Sequence, residues 1–279
     1  MKTKLLFFGL IFYGFIVKAQ EINWFTNFEA AQKQALETNK PILLEFYTPF
    51  CKPSISLDKK VWGDEEVQQL VKHYVPFKVN GTTSIELVNK YQVKNAPAIF
   101  IIDANGKVFK RKKGALYKTN IVLLLTNYRI NTSMLKVYLS SFYQKEKFST
   151  AFRLGMKYSD FAVLSNKKIK KDILRVSKEY FETAEMFLNL SDNPKKEAFI
   201  QKIELYEIQA RLILNRIGKA EKMLSKWNEV QVDDMNKDLF YKLEYVVREK
   251  NKKANGKVSG FNQLSEVEKA KTILLLQSI

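Results

Sequence analysis

Cys51 is the only cysteine in the 279 residues, and it lies in the stretch Glu45-Phe46-Tyr47-Thr48-Pro49-Phe50-Cys51-Lys52-Pro53-Ser54. An apolar run, Ile42–Phe46, leads straight into the thiol. The spacing Ile55, Leu57, Val61 predicts a helix behind it, ending near Gly63. A strand-to-helix turn of this kind exposes a nucleophile at the positive end of a helix dipole, which favours the thiolate, the reactive form. Lys52 pulls the thiol pKa in the same direction, and apolar neighbours oppose it. A redox C-x-x-C would carry a second thiol three residues on, where this chain has Ser54. The spacing survives, the resolving group is gone, and the chain cannot close a disulfide of its own. The Ser54 hydroxyl offers the sulfur a hydrogen bond instead.

Other chemistries find little support. His73 is the only histidine, and one cysteine plus one histidine cannot supply a structural zinc site. There is no phosphate-binding glycine loop. The expectation is a site with no metal and no cofactor.

The N-terminus sets the expected compartment. Lys2 and Lys4 precede the apolar stretch Leu5–Val17, and Val17-Lys18-Ala19 supplies the small or modest side chains of a cleavage site. This reads as a secretory signal peptide over residues 1–19, shorter than the ~20 apolar residues a spanning helix needs. The mature chain then begins at Gln20, in the periplasm or outside the cell. An unpaired cysteine in an oxidising compartment is either buried or used. Without structural disulfides, stability must come from packing, and 46% apolar residues are enough to build cores for one large or two ordinary domains. The net charge is +18, or +15 once the three lysines of the signal segment are removed. Export argues against nucleic acid as the partner. Anionic envelope surfaces or acidic proteins fit better, and a lysine-rich surface also serves solubility. The runs Lys110–Lys113 and Lys167–Lys171 read as solvated faces.

The elements that position the thiol alternate. Thr26-Asn27-Phe28-Glu29 has the pattern of a capping box, with Phe28, Ala31, Ala35 and Leu36 at helical spacing and a stop at Asn39-Lys40-Pro41. Ile42–Tyr47 is a central strand. Asp64 caps a second helix through Val67, Leu70 and Val71, and Val75–Val79 is a strand. Ile85–Tyr91 is a helix, and Ala98–Ile102 a strand. Asn105-Gly106 supplies the positive φ angles of a tight hairpin, Gly114 ends its second strand, and Ile121–Leu125 lies on a closing helix. The order α-β-α-β-α-β-β-α gives two parallel crossovers feeding an antiparallel hairpin, a compact three-layer α/β domain.

Residues 23–128 therefore resemble a thioredoxin domain. Cys51-Lys52-Pro53-Ser54 stands where that family has Cys-Gly-Pro-Cys, with Phe50 at the aromatic position before the cysteine. Glu45 stands where the family keeps a buried acid, and Tyr47 matches the aromatic two residues later. Val93-Lys94-Asn95-Ala96-Pro97 resembles the family's Val-x-x-x-Pro, whose proline is cis and faces the catalytic sulfur. Gly114 also has a counterpart. Ser54, Lys52 and Ala98 depart from the pattern, and Ser54 puts dithiol chemistry out of reach. The resemblance implies catalytic roles for Cys51, Ser54 and Glu45, with Glu45 relaying a proton or simply paired with Lys78. It implies substrate docking at Phe50, Ala96 and Pro97, with Pro97 cis. It also points to the secreted thioredoxin-like proteins of envelope-bearing bacteria.

From Ser133 onward helical spacing dominates, so residues 20–128 and 132–279 read as two domains, the second all-α. Leu135/Leu139/Phe142, Phe148–Met156, Lys167–Leu190, Phe199–Leu214, Gly218–Leu224, a helix capped at Asp233-Asp234, and Leu264–Ile279 are its helices, with Lys250–Gly260 a loop. Lys147–Ala151 and Gly218-Lys219-Ala220 faintly resemble tetratricopeptide repeats, without a repeat period. Two functions follow. One is a monothiol reductase or isomerase acting on cysteine-containing or unfolded envelope proteins, with an external thiol reductant. The other is a non-catalytic protein-binding or chaperone-like module.

Overall fold

A computed structural model describes residues 21–113, 116–251 and 260–279. The segment read as a signal peptide, Gly114 and most of the Lys250–Gly260 loop lie outside the described residues. Helix α1 (Phe28–Thr38) starts one residue later than the Thr26 reading. Asn27 is its N-cap, with Oδ1 accepting from the Ala30 N–H at 2.8 Å. It ends at Asn39 in the left-handed region, φ 57°, a conformation asparagine tolerates better than most residues.

Strand β1 (Ile42–Tyr47) is central in the sheet order β2-β1-β3-β4, with β2 Val75–Asn80, β3 Ala98–Ile102 and β4 Val108–Lys113. β1 pairs parallel with β2 and antiparallel with β3, and β3 pairs antiparallel with β4. Only one parallel crossover forms, where two were expected. The chain from β2 returns through α4 (Ile85–Lys90) to a strand running against β1. In the β3–β4 connection only Gly106 takes a positive φ, 87°. The turn is shaped instead by Asp103, whose Oδ1 accepts from the N–H groups of Asn105 and Lys107.

Alternation along β1 divides the layers. Ile42, Leu44 and Phe46 join Ala31 and Ala35 of α1 in one core. Leu43 and Glu45 face the other side. There Leu43 packs with Leu57 of α2 (Lys52–Leu57), Val67 and Val71 of α3 (Glu65–Val71), and Ile121 of α5 (Lys118–Asn127). Asp58–Trp62 continues α2 as a π-helical turn where one regular helix was expected. Asp64 caps α3 as expected, its carboxylate accepting from Val67 N–H.

The rest is helical: α6 Lys136–Gln144, α7 Phe148–Leu164, α8 Lys167–Asn189, α9 Lys196–Ile213, α10 Ile217–Leu224, α11 Lys237–Lys250 and α12 Glu266–Gln277. Beyond β4 there is no strand among the described residues. The fold is thus a thioredoxin-type α/β layer structure followed by helices. The second core is continuous with theirs, running from Ile99, Ile101 and Phe109 to Leu139, Tyr158 and Tyr180. Helix α8 packs along the edge strand β4, and Arg175 donates to the Phe109 carbonyl at 2.7 Å. That covers an edge otherwise open to pairing with another chain. The two basic runs are less solvated than expected. Lys170 is buried and donates to the Ser278 carbonyl at 2.7 Å, and Lys110 pairs with Asp172 at 3.3 Å. Lys170 reaches a carbonyl of the last turn of the chain, and its apolar stem packs in the interior on the way.

Candidate functional site

Cys51 is the N-cap of α2, held in extended backbone at φ −79°, ψ 112°. An N-cap side chain faces the N–H groups of the second and third helical residues. The second is Pro53, which has none, so Ser54 N–H is the amide left to the sulfur. It is the main influence holding the Cys51 pKa below its ordinary value; the Ser54 and Thr48 hydroxyls add to it, and partial burial opposes. No side-chain capping hydrogen bond of standard geometry is made by the sulfur. The thiol is half-buried and unpaired. Its Sγ lies 3.5 Å from the carbonyl oxygen of Ala96, and the Ala96–Pro97 peptide is cis. Residues 45 positions apart in the chain thus meet at one spot.

Around that spot the surface is built for contact. Phe50 is 95% exposed, an unusual state for a large aromatic side chain, and Ile55 also reaches solvent. Lys52 and Pro53 are exposed, Ala96 is half-buried and Pro97 is buried. Ser54 is the inward member of the motif. It is buried, and its Oγ has no hydrogen-bond partner of good geometry.

Glu45 lies one strand position inside the motif's entry. It is fully buried on the α2/α3 side of the sheet. Its Oε2 accepts from Trp62 Nε1 at 2.9 Å and lies 3.6 Å from Lys78 Nζ, directly across the parallel register. Its Oε1 has no partner. Burial pushes the carboxyl pKa up to about 7; Lys78 pulls it down, Asp58 pushes it up, and the Trp62 bond pulls it down. Lys78 is shared, since it also pairs with Asp58 and sits over the Tyr47 ring at 4.8 Å. Among the described residues no hydrogen bond joins Glu45 to Cys51 or Ser54. The pairing with Lys78 is thus present, and the carboxyl is still only half satisfied. Sequence reasoning missed Trp62, Asp58 and Thr48. Nothing local ties any of the three to the site: Trp62 is brought round by a π-helical turn, and the other two carry no local signal. His73 lies in the turn after α3, and the described residues hold no cluster of metal-ligating side chains.

Residues 28–129 match the family model described as a thioredoxin-like domain. In its fold that stretch is thioredoxin-like. A thioredoxin of Mycoplasmoides gallisepticum is 28% identical over 99 residues, covering 35% of this chain and 93% of that protein. Among solved structures, the C-terminal domain of Neisseria meningitidis DsbD in its oxidised form is 20% identical. It covers 38% of this chain and 99% of that one at a TM-score of 0.34. A DsbH oxidoreductase is 19% identical, covering 45% and 95%, also at 0.34.

Proposed function

We propose that this chain is an exported thiol–disulfide exchange protein of the monothiol type, a reductase or isomerase acting through Cys51 on cysteine-containing envelope proteins. The observation that carries the reading is Cys51 itself. It is an accessible thiol of lowered pKa at a helix start, 3.5 Å from the Ala96 carbonyl and flanked by the exposed Phe50 ring. The likeness to a thioredoxin over 99 residues supports the same class of chemistry.

The Cys51 thiolate attacks one sulfur of a substrate disulfide. The S–S bond breaks, a Cys51–substrate mixed disulfide forms, and the other substrate sulfur leaves as a thiolate. A substrate peptide lies extended against residues 96–97, its side chains on Phe50. Ser54 cannot resolve the adduct. If another substrate cysteine attacks the substrate sulfur, Cys51 is released and the disulfide has moved, with no net redox change. If external thiols act, a first one displaces the reduced substrate from Cys51. A second frees Cys51 as the external disulfide forms, two electrons passing to substrate. Glu45, with a pKa of about 7 and one free oxygen, is suited to hold or give the proton in these steps.

The test is alkylation of the native protein with iodoacetamide across pH, with non-reducing gels of envelope extracts. Cys51 should react with an apparent pKa below that of an unperturbed thiol. Mixed disulfides should appear as high-mass bands that vanish in Cys51→Ser. Reaction only after denaturation, with no mixed disulfides, would leave the thioredoxin-like domain as a binding module whose exposed Phe50 makes contacts without chemistry.

A further inference from the structure

A cavity of about 300 Å³ opens in the helical region, walled by α6, α7, α9, α11 and α12. That is the lower end of the ~300–1,000 Å³ range of small-molecule sites. Most of its wall is hydrocarbon or ring. Met134, Leu164 and Leu274 stand at the mouth, each about half-exposed, and Leu135, Phe161 and Leu275 lie deeper. The polar lining gathers at one place, where a second, smaller cavity meets the first across Lys157, Asp160, Lys242 and Lys271.

Lys242 is the unusual member of this cluster. It is only 6% exposed, inside α11. Its neighbours are already committed: Lys157 to Asp160 at 3.4 Å, Lys271 to Glu268, and Lys202 to the Met235 carbonyl at 2.9 Å. Among the described residues no hydrogen bond or ion pair within 4 Å forms to Lys242. Asp160 and Glu268 act on it only from farther off, and burial lowers its pKa. Across the two cavities the ammonium groups of Lys157, Lys202, Lys242 and Lys271 face the carboxylates of Asp160, Asp238 and Glu268, leaving one cation in excess. Gln209, also in the wall, is buried with its Oε1 unpartnered and its Nε2 donating to Ser159 Oγ at 2.9 Å. Turning that amide over lets Ser159 donate to Oε1 and aims an N–H at the cavity, an orientation heavy-atom positions alone do not distinguish.

We propose that this cavity binds a small monocarboxylate with an unbranched apolar tail, a medium-chain fatty acid. Its carboxylate takes the Lys242 ammonium and the Gln209 amide, and its tail lies against Phe161, Leu164 and Leu274. One negative charge matches the one excess cation, and the Lys242 ammonium gains the partner it lacks. A peptide fits worse. Most of its amide groups would be desolvated against a wall that is largely hydrocarbon, away from the few polar groups at one end. The site is separate from the thiol, and the inference goes beyond the exchange reading.

The test is isothermal titration of the full chain with octanoate, n-octanol and a short acetylated peptide ending in leucine with a free carboxylate. Octanoate should bind one to one, at least about tenfold tighter than the alcohol. Lys242→Met keeps the apolar stem and removes the charge. It should bring octanoate down to the alcohol's affinity and leave the alcohol unchanged. Leu274→Trp, at the half-exposed mouth, should weaken both ligands, and it tests the site independently should the Lys242 variant unfold. Cys51→Ser should bind as wild type. Octanoate binding that is non-saturable, no tighter than the alcohol, weaker than the peptide, or unaffected by Lys242→Met and Leu274→Trp would overturn the proposal.

Discussion

At the scale of single residues, the proposed chemistry turns on two groups whose ionisation the fold shifts in opposite directions. The Cys51 thiol is held below its ordinary value by the start of α2, so thiolate is present at lower pH than in a free cysteine. Glu45 is raised to about 7 by burial. A carboxyl whose folded pKa is raised holds its proton longer in the folded state than in the unfolded one, so stability falls as pH rises between the two values. From an unfolded value near 4.5 to about 7 the loss approaches about 3 kcal/mol and then levels off. Glu45→Gln cannot ionise and escapes it. Urea unfolding of both proteins should show the variant gaining on wild type by roughly that amount from about pH 5 to about pH 8. A constant difference would mean that Lys78 and Trp62 compensate the charge fully. Ser54 makes a second prediction. It is buried at the third helical position, where a thiol of similar size fits. Ser54→Cys should restore a resolving group and release most of the mixed disulfides that Cys51 traps, because an internal attack needs no external thiol. Persistence of the same bands on non-reducing gels would show that the position cannot reach the adduct.

At the scale of elements, glycines separate packing from propensity. Gly155 lies inside α7, where an added Cβ would stand 2.8 Å from the Phe181 ring of α8. Alanine there gains about 1 kcal/mol of helix propensity but must push an aromatic ring, a cost of about 1–3 kcal/mol. Gly218, in α10, has nothing within 4 Å of the same added atom. Gly155→Ala should therefore lower stability, in part rescued by Phe181→Leu. Gly218→Ala should raise it by about 0.5 kcal/mol, both read from urea midpoints. The elements themselves were largely legible. The stop at Asn39, the buried run Ile42–Phe46, the Asp64 cap and the stripes of α7 to α9 are local signals, and the structure carries each of them. Strand direction was not legible. An apolar run such as Ala98–Ile102 reads the same in either sense, and only pairing with β1 decides it. The motif Cys51–Ser54 and the Ala96–Pro97 step were visible because the chemistry needs those residue types at fixed spacing. The environment of Glu45 was only half visible. Lys78 follows from strand register, whereas Trp62 reaches Oε2 because a π-turn re-aims the helix, which spacing does not encode. Lys242 looked like one more lysine on a helix, and its burial depends on four other helices.

At the scale of the whole molecule, the first half and the helices are tied by a buried carboxylate. Asp103 begins the β3–β4 connection and is fully buried. Its Oδ1 takes the amides of its own turn, and its Oδ2 accepts from Tyr158 of α7 at 2.8 Å and Tyr180 of α8 at 2.6 Å. The two rings stack at 5.4 Å with planes 10° apart, and Phe109 of β4 packs on Tyr158. Burial raises the Asp103 pKa, and the four donors oppose that rise. Further bonds frame the joint: Asn105 to the Leu139 carbonyl, Thr132 N–H to the Asn39 carbonyl, and Tyr128 to Asp172. With one apolar core running through this joint, the turn that shapes the hairpin also fixes α7 and α8 against the sheet. Tyr158→Phe or Tyr180→Phe removes one donor and creates no cavity, and each should cost about 1–3 kcal/mol because a buried acceptor loses a hydrogen bond. If Asp103 couples the two halves, protection from amide hydrogen exchange should drop together in β3, β4, α7 and α8 in either variant. Deprotection confined to the helices, with β3 and β4 exchanging as in wild type, would mean that the halves open independently and that the carboxylate serves only its own turn.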